Sequence, residues 1–505
     1  MGLTWPAGRT RSRRLSRPEP SRGWALVLTS AAFFMVALDA LVVITALPTI
    51  HRDLGGSVST LEWTVNAYTL SFAAGIITAA ALGDRLGRRR VYVAGLLLFT
   101  AASAACALAP TAGILIAARA VQGAGAAIVT PLSLTILTAA WPAQRRGTIV
   151  GIWGGIAGLA VAAGPLVGGA VVYGLNWHWI FWVNVPIGLA AAVLSMARLT
   201  ETRGPATRLD IPGVVLVTAG AGGILWGLVR GGEAGWGTGE VIAAFALGAA
   251  ALAGFAAWER RAPEPMLPAR LLRIRAFAAA NATGFLQSAA LFSAAFLAAQ
   301  YFQLGLGYSP LGAGLRFLPW TATPVVVAPL AGRLTDRLGP RPLMFLGLLL
   351  QAAGLAWIAL IATATVSYTL LILPFVIAGV GISMALPATP TAALSSVPPA
   401  DIGKASGVNN TLQRFGGVFG IAVVTAVFTA TGHLGAPDQV AAGFRPALAV
   451  SAGLSLLGAV AALGVTGRRR RARAQPAAAQ PAAAQPAAAA QPAAHQPAEP
   501  LPLTR

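Results

Sequence analysis

The stretch GDRLGRRR at Gly83–Arg90 and its diverged copy GRLTDRLGPR at Gly332–Arg341 decide how this chain is read. Each crowds Gly, Asp and Arg between two long apolar segments, in a loop too short to be a domain. One motif used twice, about 250 residues apart, is the trace that two related membrane-embedded halves leave in a sequence. The glycines permit a tight turn, and Asp84 is expected to bond backbone donors at the start of the following helix. A plain basic loop would account for Arg85 and Arg88–Arg90 but not for the spaced Gly83, Asp84 and Gly87. A latch that holds in one conformation and breaks in another accounts for both.

Working outward, 56% of the 505 residues are hydrophobic and 10% are charged. A soluble domain carries about 25% charged residues. A membrane span needs about 20 apolar residues. Windows of that size number about fourteen. They lie near 24–48, 63–83, 91–109, 112–138, 147–173, 179–199, 212–231, 239–258, 277–304, 311–332, 343–362, 368–390, 405–431 and 446–466. Hydrocarbon offers no partner to backbone N–H and C=O groups, so these windows are expected to be helices. The fold class is an all-α polytopic membrane protein.

The net charge of +21 invites a nucleic-acid reading. Its distribution argues against one. Basic residues fall in alternate loops: Arg9–Arg22, Arg85–Arg90, Arg145–Arg146, Arg203 with Arg208, Arg260–Arg275, Arg333–Arg341 and Arg468–Arg473. The loops between them, such as Ala109–Gly113 and Gly174–Trp177, carry almost none. This is the positive-inside pattern, and it puts both termini in the cytoplasm of a multi-pass protein of the cell membrane. The single cysteine, Cys106, and four histidines that do not cluster give no disulfide framework and no metal site. Beyond Arg468 the Gln-Pro-Ala repeats from Gln475 to Pro497 forbid a continuous helix and supply no core, as expected of a disordered spacer.

Charges inside apolar windows are costly and point to function. Asp39 lies nine residues before the outer end of the first window near Pro48, roughly 13 Å. Arg119 lies about seven residues, roughly 11 Å, after the outer start of the fourth. The two charges therefore sit at similar depth. Burial raises a carboxylate pKa and a nearby guanidinium lowers it, so movement altering either term can take up or release a proton. The alternative is a permanent ion pair between the two helices. In the fifth window Ala160, Gly164 and Gly168 line one helical face, and Pro165 removes a backbone hydrogen bond. Static packing and a bend between moving halves both fit. Trp63, Asn66, Tyr68, Gln122, Asn409 and Arg414 are candidates for lining a substrate cavity, with interhelical hydrogen bonds as the alternative. No phosphate loop exists, and the one lysine is Lys404, so ATP-driven transport by this chain alone is excluded. Paired carboxylates, a His-rich metal cluster or a nucleophile with its base are absent, which argues against an enzyme.

At these residues the chain resembles the fourteen-helix drug:proton antiporter branch of the major facilitator superfamily, over roughly residues 24–466. Asp39 with Ala46-Leu47-Pro48 is similar to its span-1 motif, and Arg119-Ala-Val-Gln-Gly-Ala-Gly to its span-4 motif. Gly164-Pro165-Leu-Val-Gly168-Gly169 resembles the span-5 motif of exporters. Trp177-His-Trp-Ile-Phe-Trp-Val-Asn184-Val-Pro186 and Leu209-Asp210-Ile-Pro-Gly213 resemble segments of the same branch. Ala80 and Ala160 stand where the loop and span-5 motifs usually open with Gly; the second loop copy keeps Gly332.

The resemblance implies a basic N-terminus (1–23), six-helix bundles at 24–200 and 277–466, an inserted helix pair with linkers (201–276) and a tail (467–505). It also implies alternating access, with Asp39 and Arg119 coupling the proton. The conformational cycle would be shaped by Gly164, Pro165, Gly168 and Gly169 and by both loops: Gly83, Asp84, Arg85, Gly87 and Arg88, then Gly332, Asp336, Arg337 and Gly339. The expected function is proton-coupled export of lipophilic drugs or antibiotics by a monomer in the lipid bilayer. It needs no cofactor beyond the proton gradient and no nucleic acid. A dedicated exporter of one metabolite or lipid is the alternative within transport, and a non-transporting membrane sensor the alternative outside it.

Overall fold

A computed structural model describes residues 22–204, 210–263, 265, 269–398 and 401–465. The basic N-terminus and the Gln-Pro-Ala tail lie outside the described residues. Among the described residues the chain is helical, with no strand. The order is α1 (Arg22–Leu54), α2 (Val58–Leu86), α3 (Arg88–Ala107), α4 (Ala112–Ala140), α5 (Ala143–Gly174), α6 (Trp179–Trp182) and α7 (Asn184–Arg198). Then come α8 (Ile211–Ala234), α9 (Gly239–Glu259), α10 (Ala269–Leu272) and α11 (Arg275–Gln300), which runs into a π-helical turn at Tyr301–Gly305. The remainder is α12 (Pro310–Arg316), α13 (Leu318–Thr321), α14 (Thr323–Leu338), α15 (Pro340–Ile361), α16 (Tyr368–Leu394), α17 (Ile402–Thr431) and α18 (Pro437–Ala462).

Eleven of the described helices are long and apolar enough to cross a bilayer, or up to twelve if the bent α2 counts as one span. This falls short of the fourteen windows read from the sequence. Helix α2 qualifies only as two pieces meeting at 50°. From α5, the described residues supply only a shorter apolar helix, Ala163–Gly174. The window 311–332 is broken into α12, α13 and α14, each with a proline in its first turn. A proline there has no N–H to donate back and clashes with the turn before it, so each one restarts the helix.

The packing has two ends of different character. At the end where α2 turns into α3 and α14 into α15, two cores stay separate. One holds Tyr92, Phe99 and Leu132 and draws only on residues 25–199. The other holds Phe277, Leu343 and Met344 and draws only on residues 271–465. At the far end one continuous core takes in Val43 and Leu47 of α1, Trp177, Phe302, Ile358 of α15 and Phe444 of α18. Helices α8 and α9 stand at the periphery: their apolar windows are 22% and 11% buried, against 67% for α1 and α11. They hold to each other where Gly223 meets Gly248, close enough that a Cβ on Gly223 would lie 2.9 Å from the Gly248 Cα. Small residues of this kind let membrane helices pack where apolar burial gives no drive.

Both turns of the repeated motif rest on glycine. Gly87 ends α2 and begins α3 at φ 112°, and Gly339 does the same between α14 and α15 at φ 84°. Their ψ values of 124° and 164° complete a conformation that side-chain-bearing residues avoid. Replacing Gly339 with Ala is expected to cost about 1–3 kcal/mol. It should appear as a lower thermal midpoint of the full chain in detergent; an unchanged midpoint would show that the turn tolerates a Cβ.

Candidate functional site

The regular spacing of α1 and α4 aims two opposite charges at one point. Asp39 shares the inward face of α1 with Met35, Val36, Val42, Val43 and Ala46, all buried. Arg119 shares a face of α4 with Gln122, Ala126 and Val129, each 0% exposed. Arg119 Nη1 donates to Asp39 Oδ2 at 2.6 Å, and neither side chain has any solvent exposure. Asp39 Oδ1 accepts from Gln122 Nε2 at 3.0 Å and from Asn184 Nδ2, at the start of α7, at 2.8 Å. Ser103 on α3 ties the two amides together, accepting from Gln122 and Asn184 while donating to the Phe181 carbonyl.

Arg119 is held on further sides. Its Nε donates to the Thr64 carbonyl of α2 at 3.2 Å and its Nη1 also to Gln122 Oε1 at 2.6 Å. The guanidinium carbon lies 4.1 Å from the centre of the Tyr68 ring, a cation–π contact strengthened by the burial of both side chains. Among the described residues, Arg119 Nη2 has no hydrogen-bond acceptor. The arrangement is thus a desolvated ion pair whose carboxylate also accepts from two amides.

The other residues singled out from the sequence divide among several places. Tyr68 and Gln122 belong to this network. Trp63 instead packs against Trp226 of α8, ring centres 6.0 Å apart, and Asn66 donates to Glu62 Oε1 at 3.1 Å. Asn409 joins Asn281 and Gln413 in an amide chain between α11 and α17. Arg414 lies over the Phe72 ring, 4.3 Å from its centre.

The span-5 residues meet the second half of the chain at the far end. A Cβ on Gly169 would lie 2.4 Å from the Pro310 carbonyl, and one on Gly314 2.4 Å from the Pro165 carbonyl. Gly164 and Gly168 face Leu41 and Thr45 of α1. Gln303, in the π-helical turn, donates to the Thr45 carbonyl at 2.8 Å.

In the first loop, Gly83 packs on Leu132, Arg85 is exposed, and Asp84 pairs with Arg88 Nε at 2.7 Å. This corrects the expectation for Asp84. The backbone donors at the start of α3, Arg89 N and Arg90 N, go to the Glu201 carboxylate at 3.0 and 3.2 Å. Glu201 follows α7, and neighbouring backbone bonds, Arg88 N to Thr202 O and Gly204 N to Asp84 O, bring it there. In the second loop Gly332 and Arg337 end α14, Arg337 is exposed, and the Asp336 side chain lies outside the described residues.

Sequence reasoning missed Glu62, Ser103, Glu201 and Gln303. Glu62, 0% exposed within α2, could have been found as a third charge inside an apolar window. Among the described residues no cluster of His, Cys, Asp and Glu could hold a metal ion.

Removing Arg119 while keeping its bulk (Arg119→Met) leaves Asp39 buried without its counter-charge and is expected to cost about 3–5 kcal/mol. Cys106 is buried, so its maleimide labelling during a temperature ramp reads the loss directly. Labelling at the wild-type temperature would show that the pair contributes nothing to stability.

The family profile described as Major Facilitator Superfamily matches residues 29–420 and again 280–502. The chain is 35% identical over 407 residues to the "Multidrug resistance protein Stp" of Mycobacterium tuberculosis (strain CDC 1551 / Oshkosh), covering 80% of this chain and 75% of that protein. It is 36% identical over 453 residues to the "Cephamycin export protein CmcT" of Amycolatopsis lactamdurans, covering 88% and 92%. Among solved structures, a POT family transporter in complex with 5-aminolevulinic acid superposes with TM-score 0.66 at 16% identity, covering 88% of this chain and 96% of that one; the likeness is one of fold.

Proposed function

The chain belongs to the major facilitator superfamily, and on that premise we propose that it exports lipophilic drugs or antibiotics by alternating access, driven by protons returning through Asp39. Its relatives carry the names of antibiotic and multidrug resistance or export proteins. It is a multi-pass membrane transporter and not an enzyme. The observation that carries the proton step is the fully buried contact between Asp39 Oδ2 and Arg119 Nη1 at 2.6 Å, where protonation and ion pairing exclude each other. Alternating access is supported by the merging of the cores at one end and their separation at the other. On this reading the chain crosses the bilayer fourteen times with both termini cytoplasmic, as bundles 24–200 and 277–466 flanking the inserted pair. The merged end is then the outer one. A monomer suffices, with no cofactor.

The name of the cephamycin exporter favours a second version, in which a single metabolite is carried. A panel of substrates separates the two. In proteoliposomes under an imposed pH gradient, wild type is expected to move at least one lipophilic probe and Asp39→Asn to lose gradient-driven flux by tenfold or more. Flux that survives the substitution would keep transport but remove Asp39 as the proton carrier. Gly169→Val adds bulk against the Pro310 carbonyl, and is expected to stop transport by preventing closure of the merged end. Normal transport by a folded Gly169→Val protein would dissociate that contact from the cycle.

A further inference from the structure

Arg414 is an arginine at membrane depth to which the proton mechanism gives no task. It lies twelve residues (402 to 414), roughly 18 Å, along α17. Other arginines near apolar segments are tied to backbone oxygen: Arg316 to Gly312, Arg445 to Ala359 and Leu360. Arg119 has its carboxylate. Arg414 has the Phe72 ring at 4.3 Å and, among the described residues, no hydrogen bond and no ion pair. Glu62 does not neutralise it: ten residues along α2, roughly 15 Å, separate Glu62 from Phe72. An intramembrane cation is costly without a partner, so a partner from outside the chain is expected.

Beside it is the space for one. A chamber of about 350 Å³ lies between α8, α9, α11 and α17, walled by Leu225, Leu252, Phe285, Phe415 and Phe419 among others, with Thr411 its one polar side chain. Thr411 and Val418, both lining the chamber, stand one turn before and one turn after Arg414 on α17. The α17 stretch that walls the chamber therefore carries Arg414 between two of its wall residues, with the guanidinium turned toward Phe72 of α2 just outside the wall. A phospholipid would fill such a chamber with its acyl chain alone and leave its phosphate at the interface. An acid reaching Arg414 must be carried on a molecule that enters the membrane whole.

We propose that the chamber with Arg414 at its edge is a binding site for lipophilic organic acids, with the apolar body between α8 and α17 and the acid group on the Arg414 guanidinium. This deepens the export reading by naming a substrate class. The site is tested by binding, which does not depend on transport. Saturable binding of pyrenebutyrate and of its cationic counterpart, pyrenebutyl-trimethylammonium, is measured by tryptophan quenching on the full chain in nanodiscs. Wild type is expected to hold the acid at least tenfold tighter than the cation. Arg414→Gln should bring the ratio near one, Arg414→Lys should keep most of it, and Ala221→Phe, which fills the chamber from α8, should weaken both probes. An unchanged ratio in Arg414→Gln, a wild-type preference for the cation, insensitivity to Ala221→Phe, or a co-purified phospholipid that pyrenebutyrate does not displace would each overturn the proposal. Failure of gradient-driven flux in proteoliposomes would count against the export reading and leave the binding result standing.

Discussion

A carboxylate and a guanidinium with no solvent exposure impose conditions on everything packed around them. The desolvation of two ions is offset only if their remaining lone pairs and protons also find partners. Here most of those partners come from separate helices, Gln122 from α4, Asn184 from α7 and the Thr64 carbonyl from α2, with Ser103 of α3 bracing the two amides; among the described residues Arg119 Nη2 alone of the pair's polar atoms has none. The network thus fixes the mutual rotation of five helices, α1 included, in a medium where apolar side chains gain nothing by leaving lipid for one another. On the proton-coupled reading, the same enclosure is what would make Asp39 useful, because a change at its carboxylate would alter which contacts the whole group can keep.

The asymmetry of the packing follows from where the small residues are. At the merged end Gly169 and Gly314 allow the backbones of α5 and α12 to touch, and a π-helical turn, a feature common at functional positions, presents Gln303 to α1. At the opposite end the closest ties are within a half. Asp84 with Arg88, and Glu201 with the start of α3, brace residues 83–90 against the segment after α7. One end is closed by backbone proximity; at the other, the first half is braced upon itself.

Much of this was legible in the chain. Asp39 and Arg119 stand out as charges in apolar runs, and counting residues along each helix was enough to put them at one depth. Ser103 and Asn184 were not legible as partners, since a hydroxyl or an amide in a helix has several uses and its partners lie on other helices. Glu201 was hidden by separation: it acts on Arg89, 112 residues away. The expectation for Asp84 failed for the same reason, a stronger competitor arriving from elsewhere. Around 311–332 hydropathy registered one apolar run but not the helix restarts imposed by its prolines, which divide that window into α12, α13 and α14.

The peripheral helix α8 touches both halves at once, lying against Trp63 and Leu70 of α2 and against Val418 and Ala422 of α17. That seam is made almost wholly of smooth hydrocarbon. Sliding α2 past α17 would break no directional bond with α8, and a side chain that leaves one leucine meets the next. If the halves rock as proposed, α8 placed there would serve as a bearing, holding two moving parts in alignment while offering little resistance to their shear.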